Sequence, residues 1–151
     1  MSDNWIIVIP RDPNFIPPTD KITQAKLRFG QITPNADGIE VIVEVKPQFF
    51  DAGANFSSIA CPSCSKKIPL DWWQERMNED FEDDGFVLVQ YRVPCCSQEH
   101  DLNSLEYDWN QGFAKFAIDA MNPGIAELEE ADRKELENIL GTPLKVIYQH
   151  I

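Results

Sequence analysis

The chain has 151 residues, 43% of them hydrophobic, and carries 25 acidic against 13 basic side chains, a formal net charge of −12. Its length fits one domain with a small insert, and its apolar content is too high for a disordered chain. The charge disfavours nucleic acid and anionic lipid as partners and favours a basic protein. The first apolar run covers only residues 5–9 and follows no basic segment, so neither a signal peptide nor a membrane span is expected. We therefore expect a cytoplasmic protein whose cysteines stay reduced.

The N-terminal part of the chain predicts a strand, a helix and a second strand. Residues 5–9 are continuously apolar and β-branched, which is typical of a strand buried on both faces. A helix is predicted from Thr19 or Asp20, because apolar side chains then recur at helical spacing as far as Ile32. Apolar and charged side chains alternate over residues 39–46, and Pro47 is expected to end this half-buried strand.

The C-terminal part repeats the same order. Alternation over residues 114–120 predicts a strand, an apolar stripe over residues 125–140 predicts a helix, and residues 144–151 form a last strand. Two strand–helix–strand halves predict an α+β fold, a ferredoxin-like βαβ–βαβ sandwich. We expect a single domain over residues 1–151 with a zinc-binding insert, similar to a zinc ribbon, at residues 48–110.

All four cysteines lie in this insert, in two close pairs. Cys61 and Cys64 form a Cys-Pro-Ser-Cys motif, and Cys95 and Cys96 follow as adjacent residues. Two pairs separated by a hairpin-sized segment are typical of a four-coordinate structural zinc site. Adjacent side chains diverge, so both members of the second pair can bind the metal only where the backbone turns sharply. If it does not, His100 replaces one of them as the fourth ligand.

The segment between the two pairs predicts a helix that begins after Pro69 and a strand over residues 86–93 that leads into the second pair. The acidic residues 79–84 are expected to be solvated and to end the helix. An open four-stranded sheet leaves one face uncovered, but the first strand has no polar position. We expect the insert, or a second protein chain, to cover that face.

Two other chemistries are open to the cysteines. Cys61 and Cys64 could form the dithiol of an oxidoreductase, although such motifs place the first cysteine at a helix N-terminus directly after a strand. A zinc enzyme would need an open coordination position. The chain has only two histidines, His100 and His150, and no Gly-x-Ser-x-Gly, His-Glu-x-x-His or glycine-rich phosphate motif, so no catalytic residue is predicted.

A second dense stretch runs from Leu102 to Trp109 and is followed by Gly112 and Phe113. Together with the cysteine pair before it, this stretch resembles a group of small bacterial proteins that share a Leu-Asn-x-Leu-x-Tyr-x-Trp segment. The similarity covers roughly residues 60–151, and it implies a bacterial protein with no established activity. Those proteins usually have glycine after the cysteine pair, where this chain has Ser97. Tyr107 and Trp109 are expected to pack in the core.

These observations predict a non-enzymatic, zinc-stabilised, acidic protein that acts by protein–protein interaction with a basic partner. One specific candidate is a toxin-neutralising, immunity-type protein, since many such targets are basic nucleases. A zinc-containing enzyme or a thiol oxidoreductase that uses Cys61 and Cys64 is the alternative. The sequence predicts no oligomeric state.

Overall fold

The structure, a computed structural model, describes residues 2–151. The described chain has a mixed α/β fold with three helices and ten strands, most of them very short. In chain order they are β1 (Asn4–Pro10), α1 (Thr19–Ile32), β2 (Gly38–Phe50), β3 (Ile59–Ala60), α2 (Leu70–Asp80), β4 (Phe81–Glu82), β5 (Gly85–Phe86), β6 (Tyr91–Arg92), β7 (Glu99–His100), β8 (Glu106–Tyr107), β9 (Gly112–Met121), α3 (Glu130–Leu140) and β10 (Leu144–His150). None of the helices in this part of the chain is long and apolar enough to cross a membrane.

Four of the strands form the main sheet, in the order β10-β1-β9-β2, and every neighbouring pair is antiparallel. The predicted strand–helix–strand order of each half is confirmed by these elements. Helices α1 and α3 pack on one face of the sheet, where Phe29 and Leu136 join Val8 and Phe116 in one buried cluster. The stripe predicted to be helical from residue 125 is helical only from Glu130, because the preceding residues form an irregular, bent segment.

The other face of the sheet is covered largely by the ends of β2 and β9 that bend over it. We call this antiparallel pair, whose strands are joined through residues 51–111, the β2–β9 hairpin, and the end near Phe50 and Gly112 its tip. Ile7, Ile9 and Ile147 project from the sheet and are buried in a cluster with Phe50 and Ala114, which lie at the tip of that hairpin. The register of the hairpin shifts between Val43 and Gln48, which bends it.

The bend brings the chain after β2 back to the far edge of the sheet. Gly53 pairs in parallel with His150 on the free edge of β10, only three residues after Phe50 pairs with β9. The Ala54 N–H donates to the His150 carbonyl (2.8 Å), and the His150 N–H donates to Ala52 (3.3 Å). Residues 50–54, the start of the segment predicted as the insert, therefore cross the face that we expected the insert or a second chain to cover.

Residues between β2 and β9 form a separate small core. Its buried side chains include Ile59, Trp73, Met77 and Leu102, and it joins the sheet through Phe49 and Phe113 at the hairpin tip. The strand predicted over residues 86–93 is wrong, since only the two-residue strands β5 and β6 form there, with an irregular stretch between them. This small core contains all four cysteines.

Candidate metal centre

The first cysteine pair lies in a tight turn, which we call the first knuckle (residues 61–66). The Cys61 N–H donates to the Lys66 carbonyl, and the Ser65 N–H donates to the Cys61 carbonyl, both at 2.9 Å. Short antiparallel pairing on either side, between Ala60 and Lys67, closes the turn at its base. Ser65 has φ of 65°, in the left-handed region that glycine usually occupies.

The second pair lies in a turn of the same design, the second knuckle (residues 93–98). The Val93 N–H donates to the Gln98 carbonyl (2.9 Å), and the Ser97 N–H donates to the Val93 carbonyl (3.2 Å). Arg92 and Glu99 pair at its base, and Ser97 has φ of 64°. Serine thus takes the left-handed position in both knuckles, and the absence of glycine after Cys96 does not prevent the turn.

The match between the knuckles explains the unequal spacing of the two cysteine pairs. Pro62, Cys64 and Ser65 of the first knuckle correspond to Pro94, Cys96 and Ser97 of the second. This correspondence places the buried Val93 where the first knuckle has Cys61, and Cys95 where it has Ser63. The sequence analysis missed this repeat, although the shared Pro-x-Cys-Ser pattern was visible in it.

The turn in the second knuckle is sharp enough to bring both adjacent cysteines to the first pair. The four Sγ atoms of Cys61, Cys64, Cys95 and Cys96 all lie within 4.8 Å of one another, and those of Cys61 and Cys96 are 3.7 Å apart. Tetrahedral zinc with Zn–S distances of about 2.3 Å holds its sulfur ligands about 3.8 Å apart. The cluster could therefore hold one metal ion of that size.

His100 lies beside the cluster. Its Nε2 atom is 2.7 Å from Ser63 Oγ, while the Ser63 backbone N–H donates to Cys61 Sγ at 3.4 Å. The group of side chains that could hold an ion is composed of the four cysteines, and His100 contacts it through Ser63.

The thiols differ in acidity in the metal-free protein. Burial raises the pKa of Cys61, but hydrogen bonds from the backbone N–H groups of Cys64 and Ser63, and from neighbouring thiols, outweigh it and leave a pKa of about 6. Burial and the neighbouring sulfurs raise the pKa of Cys95 to about 12, because a second negative charge beside the Cys61 thiolate is unfavourable. A bound cation would reverse that effect and favour thiolates at all four positions.

Polar contacts connect the rest of the insert to the knuckles. Asp80, at the end of α2, is only 2% exposed, and its carboxylate accepts hydrogen bonds from the Leu88 and Val89 N–H groups and from the Tyr91 hydroxyl on β6. The prediction that residues 79–84 form a wholly solvated run is therefore wrong for Asp80. Its role depends on partners distant in sequence, so the charge pattern alone could not identify it.

Two aromatic predictions have different outcomes. Tyr107 packs in the insert core, accepts a hydrogen bond from Trp73 Nε1 (3.1 Å) and donates to the Leu102 carbonyl (2.6 Å). Trp109 is 45% exposed, so the prediction that it is a core residue is wrong. Lys66 and Lys67 are exposed beside the first knuckle.

No protein-family model matches the chain, and no curated protein or solved structure is significantly similar to it. The predicted similarity to small bacterial proteins is thus not tied to a defined family. The function has to be inferred from the geometry of the site.

Proposed function

We propose that the four cysteines hold one structural Zn²⁺ and that the protein acts by binding a basic protein. The observation that carries the metal assignment is the convergence of four sulfur atoms within 4.8 Å in two matched knuckles. Four thiolates would fill a tetrahedral coordination sphere, whereas catalytic zinc keeps one position for water or substrate. His100 is then a neighbour of the site that hydrogen-bonds Ser63, and the fourth ligand is a cysteine.

The fold that we propose for the main sheet is the ferredoxin-like sandwich. Its support is the antiparallel order β10-β1-β9-β2 together with two helices on one face. In this arrangement the zinc module is an insertion between the two strand–helix–strand halves. A cytoplasmic location, in which thiols stay reduced, belongs to the same proposal.

Metal analysis of protein purified without added metal tests the zinc assignment. We expect about one zinc per chain, and we expect Cys61→Ser and Cys96→Ser to lose most of it together with the ordered insert. The main sheet has its own buried clusters and should keep its secondary structure. Metal-free protein with four freely titrating thiols would contradict the proposal, and a visible thiolate–iron absorption would assign the site to iron.

The proposed partner is a basic protein, with a toxin-neutralising role as the specific candidate. Its support is the net charge of −12 and the exposure of acidic side chains such as Glu82, Asp83 and Asp84 at the turn between β4 and β5. Charge of this kind mainly raises the association rate. Asp80 does not belong to this surface, because it is buried.

A thiol oxidoreductase is the second candidate, favoured by the Ser63 N–H that donates to Cys61 Sγ at 3.4 Å, a contact that helps to lower the pKa of this thiol. Against it, the chain after Cys64 turns back to pair with Ala60 at Lys67 and enters a helix only at Leu70, and Cys96 Sγ lies 3.7 Å from Cys61 Sγ. Insulin-reduction turnover by the zinc-loaded protein would favour this candidate. We expect none.

A further inference from the structure

A cavity of about 440 Å³ opens away from the cysteines, between the end of β1, the loop before β9 and the start of β10. Its lining includes two cationic side chains, Arg11 and Lys145, together with the neighbouring Gln111. We call it the Arg11–Lys145 cavity. It is unexpected in a chain whose net charge is −12.

Gln111 presents an unused donor. Its side chain is fully buried, and its Oε1 atom accepts a hydrogen bond from the Ala52 N–H at 3.0 Å, which fixes the orientation of the amide. The Nε2 atom has no hydrogen-bond partner among the described residues. A buried amide donor without an acceptor is unfavourable, but this atom has no accessible surface, so it lies within the cavity wall. The Gln111 atom that contacts a cation of the cavity is its backbone carbonyl oxygen.

The two cations of the cavity are also unpaired. No ion pair among residues 2–151 involves Arg11 or Lys145, although the chain has 25 acidic side chains. The Lys145 ammonium donates to the Gln111 carbonyl at 3.2 Å, which leaves two of its protons available. Burial, and then the nearby Arg11 charge, lower the pKa of Lys145, and the Asp101 carboxylate opposes this shift in part.

Two carboxylates lie in the neighbourhood. Glu106 lines the cavity as an exposed side chain, and Asp101 accepts hydrogen bonds from the Ser104 N–H and hydroxyl, both at 2.9 Å. Neither is within ion-pair distance of Lys145.

The backbone around the cavity is closely fitted. Asn103 accepts a hydrogen bond from the Phe113 N–H (3.0 Å) and donates to the Arg11 carbonyl (3.4 Å), so it ties the end of β1 to β9. At Gly112 a Cβ atom would come within 3.0 Å of Lys145 Nζ and 2.9 Å of Asn103 Oδ1. The glycine thus allows the ammonium group to lie against the backbone beside Gln111.

We propose that the Arg11–Lys145 cavity binds the oxyanion group, phosphate or carboxylate, of a small molecule. A guanidinium and an ammonium that line one cavity, neither of them in an ion pair, are donors of the kind that such a group needs. This proposal is independent of the zinc site and of the basic partner. The anion-binding function goes beyond both.

Titration of ¹⁵N-labelled protein with sodium phosphate, and in parallel with sodium acetate, tests the proposal at constant ionic strength set with NaCl. We expect a saturable shift of the backbone amide signals of Gln111 and Lys145, which line the cavity, with at least one of the two anions. A preference for phosphate or for acetate identifies which oxyanion the cavity accepts. No saturable shift with either anion would overturn the proposal.

Variants separate a built site from the general effect of charge. Arg11→Gln and Lys145→Gln should each weaken binding by about tenfold, the loss expected for one charged hydrogen-bond donor. Lys26→Gln removes the same charge from an exposed position on α1 and should change affinity less than about twofold. If Lys145→Gln fails to fold, the exposed Arg11 decides the test, and equal losses in Arg11→Gln and Lys26→Gln would contradict a specific site.

Discussion

Ser63 occupies the position that Cys95 holds in the second knuckle, and it serves two groups at once. Its backbone N–H stabilises the Cys61 sulfur, and its hydroxyl lies within hydrogen-bond distance of His100. His100 would have to break this contact to reach a metal ion. Ser63 therefore contacts both a proposed metal ligand, Cys61, and a side chain outside the proposed ligand set, His100.

We predict that His100→Ala keeps about one zinc per chain, because the four cysteine sulfurs of the proposed site are enough for tetrahedral coordination. Metal analysis of the variant measures this, and Cys96→Ser, which should lose zinc, is the comparison. The loss of a neighbouring hydrogen bond can weaken metal affinity by about tenfold or more, so a competition titration with a chelator is the finer readout. Zinc-free His100→Ala would show that the histidine is a ligand.

Asp119 is a carboxylate on the sheet face opposite the helices. It is only 8% exposed, and it pairs across the sheet with Glu40 on β2. Burial, and then the Glu40 charge, raise its pKa from 3.8 to about 6. The folded state thus holds this proton more tightly than the unfolded state, so the contribution of Asp119 to stability is most favourable below about pH 4 and is lost as the pH rises towards 6.

We predict that Asp119→Asn is more stable than the parent above pH 6, by about 1–2 kcal/mol after allowance for the solvent beside Glu40. The difference should shrink between pH 6 and pH 4. Urea denaturation at several pH values measures it. Glu40→Gln should reduce the loss of stability that the parent shows as the pH rises towards 6, because the Glu40 charge raises the pKa of Asp119. A stability difference between Asp119→Asn and the parent that does not change with pH would contradict the raised pKa of Asp119.

Among the glycine contacts between elements, the one that joins the end of the β2–β9 hairpin to β10 leaves the least room for a side chain. Gly53 has φ of 61°, and a Cβ atom there would lie 2.2 Å from the His150 carbonyl oxygen. Neither the backbone angle nor the contact accommodates a side chain. The burial of Ile7 and Ile147 depends on this close contact between Gly53 and His150.

We predict that Gly53→Ala lowers the free energy of unfolding by about 2 kcal/mol or more, through strain and loss of the bridge. Gly30→Ala is the matched control, because Gly30 is in α1 and a Cβ there meets nothing within 4 Å. The control should be neutral or more stable by up to about 1 kcal/mol. Equal denaturation midpoints for Gly53→Ala and the parent would refute the role given to this contact.

The sequence predicts the elements of the main sheet better than their curvature. The apolar run of β1 and the alternation in β2 are local patterns, and both strands form as expected. Pro47 was expected to end β2, but β2 is an edge strand, where a missing N–H is tolerated, and it continues to Phe50. The bend that follows depends on contacts with β10, which no local pattern contains.

The candidate metal site, like the main sheet, was only partly predictable from the sequence. The identity of the four cysteines follows from their spacing, whereas the convergence of Cys95 and Cys96 depends on a turn that only the comparison of the two knuckles reveals. The donors of the Arg11–Lys145 cavity are separated by most of the chain. Residues so far apart are brought together by the sheet, so their juxtaposition could not be predicted from sequence.

At the scale of the whole molecule, the negative charge is not uniform. The acidic turn between β4 and β5 belongs to the insert, whereas Glu129 and Glu130 lie at the start of α3 on the main domain. Lys46 is the nearest cation to the acidic turn, with its ammonium 3.8 Å from the exposed Asp83 carboxylate. An exposed pair of this kind neutralises little of the field.

We predict that a basic partner associates faster at low than at high ionic strength, since surface charges are screened beyond about 8–10 Å in physiological salt. Glu82→Lys with Asp84→Lys should slow association, measured by stopped flow with the partner recovered from the source cell. Glu129→Lys with Lys134→Glu keeps the net charge and serves as the control. An association rate that does not vary with salt would argue against electrostatic capture.

The pairing of β1 with β10 also bears on the order in which the protein can be made. Residues 4–10 bond residues 144–150, so the sheet cannot be completed on the ribosome until β10 has emerged. Both knuckles and the strand pair β3–β8, in contrast, are synthesised before β9 begins. All four cysteines are therefore available while the first strand still lacks both neighbours, and metal binding at the proposed site can precede the folding of the main sheet.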